Sequence, residues 1–496
     1  MRESGILLPI SSLPSQYGIG CFSKEAYEFV DQLALANQKY WQILPLGPTS
    51  YGDSPYQSFS TYAGNPYFID LNTLIEEGVL TKKECDLADF GSDSRFIDYG
   101  KLYKTRYKLL RKAYERSNIS QNPEFRTFQE ENAWWLDDYA LFMAVKGFFQ
   151  DECWDKWPED IKKRYGYALD YYREQLYFEI EFQKYMQFEF SIQWKKLKTY
   201  ANENGICIIG DIPIYVAYDS ADTWAHPELF QLDEENVPLA VAGCPPDGFA
   251  ADGQLWGNPL YRWDYHRRTG YTWWMQRLSY AFYLYDVVRI DHFRGFDEYF
   301  SIPYGDTTAR NGHWEKGPGI ELFHRMKEVL GERDVIAEDL GYVTDSVRQM
   351  VFESGFPGMK VFEFAFDSRD TGCAGDYLPH NYPVNSVVYT GTHDNATLIG
   401  WYQDIPKEGR EMLRDYIHDY TTSDRSLHWS VICRVMGSPA RICMIPMQDY
   451  LGLDNTCRIN TPSTLGTNWK WRLLDGEFTS DLQNKIKKLV RIYQRN

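Results

Sequence analysis

Residues 287–293 read VVRIDHF, a short apolar run that ends in an acid and a histidine and is followed at once by the turn residues of RGF. Seven more runs of the same kind stand along the chain: 6–10 in GILLPISS, 40–46 in YWQILPLG, 206–216 in ICIIGDIPIYV, 335–341 in VIAEDLG, 361–366 in VFEFAF, 387–393 in VVYTGTH and 442–447 in ICMIPM. Continuous rather than alternating apolar runs are what a parallel sheet needs when both of its faces are covered, and helical stretches separate them. Eight such strands predict an α/β fold, a (β/α)8 TIM barrel, whose reactive groups gather at the C-terminal ends of the strands.

The acids at those ends are the next observation. The third strand ends near Asp211, the fourth at Asp291, the fifth at Glu338 and Asp339, and the seventh at Asp394. A single acid at a strand end is a common turn former. Several around one barrel mouth repel one another unless a cation, a shared proton or a substrate compensates, so the set reads as functional. Period-two alternation puts Arg289 on the same face as Asp291, where a guanidinium keeps the carboxylate ionised, as a nucleophile requires; an ordinary ion pair is the plain alternative. Glu338 follows the apolar Val335, Ile336 and Ala337, and a dry site facing another carboxylate raises its pKa and suits it to proton donation. Two close carboxyl groups of opposite protonation state are the apparatus of a retaining glycosidase. His292 and His393 adjoin two of these acids, and hydrogen bonding to sugar hydroxyls is the role that fits them. A metal centre is the competing use of an acidic rim. Against it, the first strand carries no HxH and histidines do not recur in ligand pairs, so no metal and no cofactor are expected.

The runs are unevenly spaced. About 160 residues separate the second from the third, far beyond an ordinary connection. They predict a mainly helical inserted subdomain over roughly residues 74–161, within a stretch that includes Trp134, Trp135, Trp154 and Trp157. A second insertion, roughly 219–265, is rich in loop signals and in rings, as a lid or binding loop would be. The tail 480–496 predicts a closing helix capped by Ser480.

Lys and Arg number 52 against 70 Asp and Glu, a net charge of −18, which argues against nucleic acid and anionic membrane as partners. No run reaches the length of a membrane span and the N-terminal apolar stretch is too short for a signal peptide, so a cytoplasmic protein is expected. Nine cysteines without a CxxC pair predict reduced thiols. The unusual quantity is aromatic: 16 Trp, 38 Tyr and 28 Phe make 17% of the chain. Many lie in Gly/Pro/Asn/Asp-rich loops, where flat rings beside amides and carboxylates suit the apolar faces and hydroxyl edges of sugars.

Nine segments, GILLPISSLPSQYGIG, SPYQSFSTYAGNPYFIDL, GDIPIYVAYDSADTW, PPDGFAADGQLWGNPLYRW, RIDHFRGF, AEDLG, GFPGMKV, GTHDN and RINTPSTLGTNWKWR, run in order from residue 5 to residue 472. Together they resemble the 4-α-glucanotransferases known as amylomaltase or disproportionating enzyme, a branch of the α-amylase clan. The resemblance implies a barrel with inserted subdomains and no C-terminal β-sandwich domain. It also implies transfer of α-1,4-glucan segments between maltooligosaccharides, or to glucose, with retained configuration. Asp291 is then similar to the nucleophile, Glu338 to the acid/base and Asp394 to the carboxylate that grips ring hydroxyls. Arg289 and His393 resemble supporting residues, and Asp211 matches the acidic strand end of the clan's first shared region. Asp247, Phe249 and Trp256 fall in the flap over the glucan, and Tyr56, Ser58, Asn460 and Asn468 where the family contacts sugar. Pro9 and Ile10, Gly248 and Thr467 depart from the commoner pattern; the missing ring at 248 removes a stacking contact. An α-glucan hydrolase of the same clan is the other reading, and the oligomeric state is left open.

Overall fold

The computed structural model describes residues 2–50, 52–246, 251–341, 343–366 and 374–496. Its strands are β1 (Glu3–Leu7), β2 (Tyr40–Gln42), β3 (Cys207–Ile212), β4 (Ala240–Cys244), β5 (Gln254–Pro259), β6 (Val287–Ile290), β7 (Glu298–Pro303), β8 (His313–Lys316), β9 (Val335–Ala337), β10 (Gly358–Val361), β11 (Ser386–Tyr389) and β12 (Ile442–Pro446). Eight of them close a barrel in the order β1-β2-β3-β6-β9-β10-β11-β12. Neighbours are parallel throughout. Seven of them lie in or overlap the expected runs, and the sixth, β10, ends where its expected run begins, at Val361. Ile208, Val288, Ile290, Ile336, Val388 and Met444 are fully buried, because the barrel interior covers one face of the sheet and helices cover the other.

Element bounds differ from the reading in places. The first strand begins earlier, at Glu3, and Ile10–Ser12 is a 3-10 turn. The sixth strand is Gly358–Val361, and the aromatic run behind it, Phe362–Ala365, coils into a 3-10 turn. Apolarity reported burial there, not extension. The closing helix is Ser480–Tyr493, and its cap is Thr479, whose hydroxyl accepts from the Leu482 amide; Ser480 is already helical.

Helices fill the long gap between β2 and β3. Tyr99–Arg116 is capped by Asp98, and Pro123–Phe148 has Pro at its first position and Asn122 as cap. Helix Tyr177–Glu203 leads back into β3. A second hydrophobic core forms from Trp135, Leu136, Phe142, Trp154, Trp157 and Trp224, which explains the local wealth of tryptophan. The loop reading of 219–265 overlooked β4 and β5. These join β7 and β8, from beyond β6, in an antiparallel sheet of order β5-β4-β7-β8. The small residues of β4 hide its strand character, and Gly243 is needed there: a Cβ would stand 2.1 Å from the Gln254 carbonyl oxygen. Among the described residues no helix is long and apolar enough to cross a membrane, and the elements after β12 are helices and 3-10 turns.

Candidate active site

Register brings the acids together. Asp211 on β3 lies opposite Arg289 on β6, and Ile290 lies opposite Ala337 of β9, so Asp291 and Glu338 leave adjacent strands at the same level. The Arg289 guanidinium, buried to 3% exposure, donates from Nη1 to both Asp211 oxygens at 2.7 and 2.6 Å. Its Nη2 lies 2.9 Å from Asp291 Oδ1. The Tyr56 hydroxyl donates to Asp211 Oδ2 at 2.7 Å, extending the line to Tyr56–Asp211–Arg289–Asp291.

Glu338 is held by backbone. Oε2 accepts from the His292 amide at 2.6 Å and Oε1 from the Leu340 amide at 2.8 Å. His292 itself adopts a left-handed conformation, φ 51°, which costs a non-glycine residue about 1–2 kcal/mol. Burial raises the pKa of Glu338, and the neighbouring charge of Asp291 raises it further; Arg289 and the two amides only partly offset this. Burial also raises Asp291, but Arg289 sits directly on it and opposes the shift. Burial, with Arg294, pushes His292 down to about 3, so its ring is neutral.

The segment after β11 supplies the other wall. His393 is buried, stacks on the Tyr56 ring at 5.1 Å and 16°, and points Nε2 at Asp394 Oδ2 over 3.3 Å. Asn460 donates to Asp394 Oδ1 at 2.6 Å. Burial raises Asp394, yet the charge and hydrogen bond of His393 and the bond from Asn460 outweigh it, and the carboxyl ends well below the usual range. For His393, burial opposes the charge and Asp394 prevails, so its pKa is raised.

Other expected residues are placed differently. The Ser58 hydroxyl bonds the Ser60 carbonyl at 2.9 Å, closing its own loop. The Asn468 amide bonds Thr461 and Thr464, so it braces the 461–468 turn. Trp256 packs edge-on against His292 at 4.8 Å. Asp247 and Phe249 lie outside the described residues. Asp339 accepts from the Met359 amide at 2.7 Å and so ties β9 to β10. Sequence reasoning passed over Arg458, which donates to the Asp394 carbonyl at 2.5 Å, and Trp469, which tilts against both Tyr56 and His393 at 5.9 and 6.0 Å. Both lie in RINTPSTLGTNWKWR, where position in the motif was the available signal. No group of His, Cys, Asp and Glu among the described residues is arranged to hold a metal ion.

Residues 8–477 match the model of the 4-alpha-glucanotransferase family. The chain belongs to that family. A 4-alpha-glucanotransferase of Clostridium butyricum is 50% identical over 488 residues, spanning 98% of this chain and 99% of the relative. That of Thermus thermophilus is 45% identical over 503 residues, spanning 100% and 99%. The amylomaltase from Streptococcus agalactiae, solved in complex with acarbose, superposes with a TM-score of 0.96 at 40% identity, all of each chain being covered. Membership of the 4-alpha-glucanotransferases gives the acidic barrel mouth its chemical context: a hexosyl-transferring enzyme of a glycoside hydrolase fold.

Proposed function

We propose that this chain moves α-1,4-glucan segments between maltooligosaccharides, or onto glucose, by a two-step retaining transfer at Asp291 and Glu338. In the first step the Asp291 carboxylate attacks the anomeric carbon of the donor. The bond from that carbon to the bridging oxygen breaks, and Glu338 gives its proton to that oxygen, which departs as the 4-hydroxyl of the leaving chain. In the second, Glu338 takes the proton from the 4-hydroxyl of an acceptor, whose oxygen displaces Asp291 from the anomeric carbon. Two inversions leave the α configuration unchanged. The observation that carries this reading is the asymmetric wiring of the two acids. A guanidinium sits on Asp291 and favours its ionised form, while burial and a neighbouring charge favour the protonated form of Glu338.

Asp394, kept ionised by His393 and Asn460, is suited to gripping two ring hydroxyls and to stabilising positive charge that develops on the sugar ring. Buried His292 Nε2 has no hydrogen-bond partner among the described residues, which suits a neutral ring that binds a sugar hydroxyl. Tyr56 and Trp256 supply ring surface. Ser58 and Asn468 act by shaping the loops that frame the site. Every cysteine among the described residues is a free thiol, which supports placing the enzyme in the reducing cytoplasm.

Asp291→Asn and Glu338→Gln are each expected to lower maltotriose disproportionation by about a thousandfold or more while glucan binding stays measurable. Near-normal turnover in either would overturn the assignment. The product ladder separates transferase from hydrolase: glucose together with oligomers longer than maltotriose marks transfer, and shorter sugars alone mark hydrolysis.

A further inference from the structure

His393 and Asp394 ride on an eight-residue loop, 390–397, between β11 and the helix Leu398–Asp404. Both ends of the loop hang on one carboxylate. Asp449, 1% exposed in the short helix Met447–Leu451 that follows β12, accepts from the Thr390 hydroxyl at 2.5 Å through Oδ2 and from the Leu398 amide at 2.8 Å through Oδ1. Thr390 is the first residue beyond β11 and is fully buried; Leu398 is the first residue of the helix that the loop enters and is 2% exposed. The arrangement follows from register. Tyr389 of β11 lies opposite Met444 of β12, so the chain leaving β12 passes beside both feet of the neighbouring loop.

Between the feet the loop is tied to itself and to the 458–460 segment, where Asn460 donates to the His393 carbonyl and to Asp394 Oδ1 and Arg458 donates to the Asp394 carbonyl. The Thr392 amide and hydroxyl bond Asn395 Oδ1 at 2.9 and 2.8 Å, and the Asp394 amide reaches the Thr392 hydroxyl at 3.3 Å. Satisfying the first amide of the helix accounts for only one of the two bonds to Asp449, the one from Leu398. Thr397 already caps the helix, accepting from the Gly400 amide at 3.2 Å, and capping gives no reason for a second bond to Thr390 at the opposite end. A carboxylate that spans the mouth of a loop sets the separation of its ends, and thereby the height and tilt of what stands on top.

We propose that Asp449 is a positioning residue for glucan transfer, which fixes His393 and Asp394 against the sugar by clamping both feet of their loop. The inference rests on the reading of Asp394 as a substrate-gripping group. A displacement of about 1 Å in such a group can cost 100-fold in rate, so a clamp of this kind acts on the chemical step more than on substrate capture.

The test is maltotriose disproportionation by the full chain. Asp449→Ala is expected to lower kcat by about 10- to 100-fold with KM changed by less than about threefold. Asp449→Asn is expected to restore turnover to within about threefold of the parent enzyme, because an amide still accepts from Leu398 and donates to a Thr390 hydroxyl turned to accept. Thr390→Val, which removes one foot only, should give an intermediate loss that Thr390→Ser does not. Asp394→Asn is run alongside. If it turns over normally, the reading of the site fails and the inference with it. If Asp394→Asn is impaired while folded Asp449→Ala and Thr390→Val keep normal kcat, the site reading survives and the clamp is refuted. If Asp449→Ala does not fold, Thr390→Val decides alone, a normal kcat overturning the clamp and a lowered one upholding it.

Discussion

Asp291 and Glu338 carry the same functional group, and the opposite tasks proposed for them rest on what touches each. Arg289 contacts Asp291 and favours its ionised form, while burial and the charge of Asp291 favour the protonated form of Glu338. The direction of the pH dependence follows. On the acid side activity falls as Asp291 takes up a proton; on the alkaline side it falls as Glu338 loses its own. Because burial raises both groups, the alkaline limb of kcat/KM should stand well above the ordinary glutamate value of about 4.3. A limb lying in the ordinary carboxyl range would contradict the wiring described. The pairing of Arg289 with Asp291 was legible in the sequence, since period-two alternation is a property of one strand. The engagement of Ser58 and Asn468 within their own loops was not, because a polar side chain in a loop has several partners within reach and only the folded backbone chooses among them.

At the level of elements, the barrel strands have little tolerance at close approaches. Gly210 of β3 immediately precedes Asp211, and a Cβ there would stand 2.1 Å from the ring of Tyr285. Gly210→Ala is therefore expected to destabilise the protein by about 1–3 kcal/mol, read as a lower midpoint of urea unfolding. Turnover should fall in parallel, because the shift is passed to Asp211 and so to Arg289; an unchanged midpoint would show that the ring can move aside. Strand existence was readable from continuous apolar runs, but strand ends were not. Phe362, Ala365 and Phe366 are buried whether the chain is extended or coiled, so hydrophobicity cannot mark where β10 stops. The sheet of β4, β5, β7 and β8 escaped for the opposite reason: β4 is rich in small residues, and β5 and β8 mix polar with apolar residues and are incompletely buried, so only β7 carries a buried apolar run.

In the whole molecule, the two ends of the chain meet beneath the barrel. Arg495, fully buried, donates to the carbonyls of Met436, Ser438, Ala440 and Glu3, joining the last helix to the start of β1 and the entry to β12. Arg495→Ala leaves those carbonyls without their partner and is expected to cost about 2–4 kcal/mol in thermal or denaturant unfolding. Turnover of the folded enzyme at 25 °C should be unaffected, since the site lies at the other end of the barrel; loss of activity without loss of stability would refute this separation. Local pattern was enough to establish a parallel eight-stranded barrel with acids on its rim, because periodicity, turn residues and strand-end chemistry are written in neighbouring positions. The choice of partners was made only in three dimensions. Asp211 meets Tyr56 and Arg289, and Asp449 meets Thr390 and Leu398, across separations of 51 to 155 residues, through strand register and the direction in which each loop leaves the barrel. Those are properties of the closed sheet, and no segment of the chain possesses them alone.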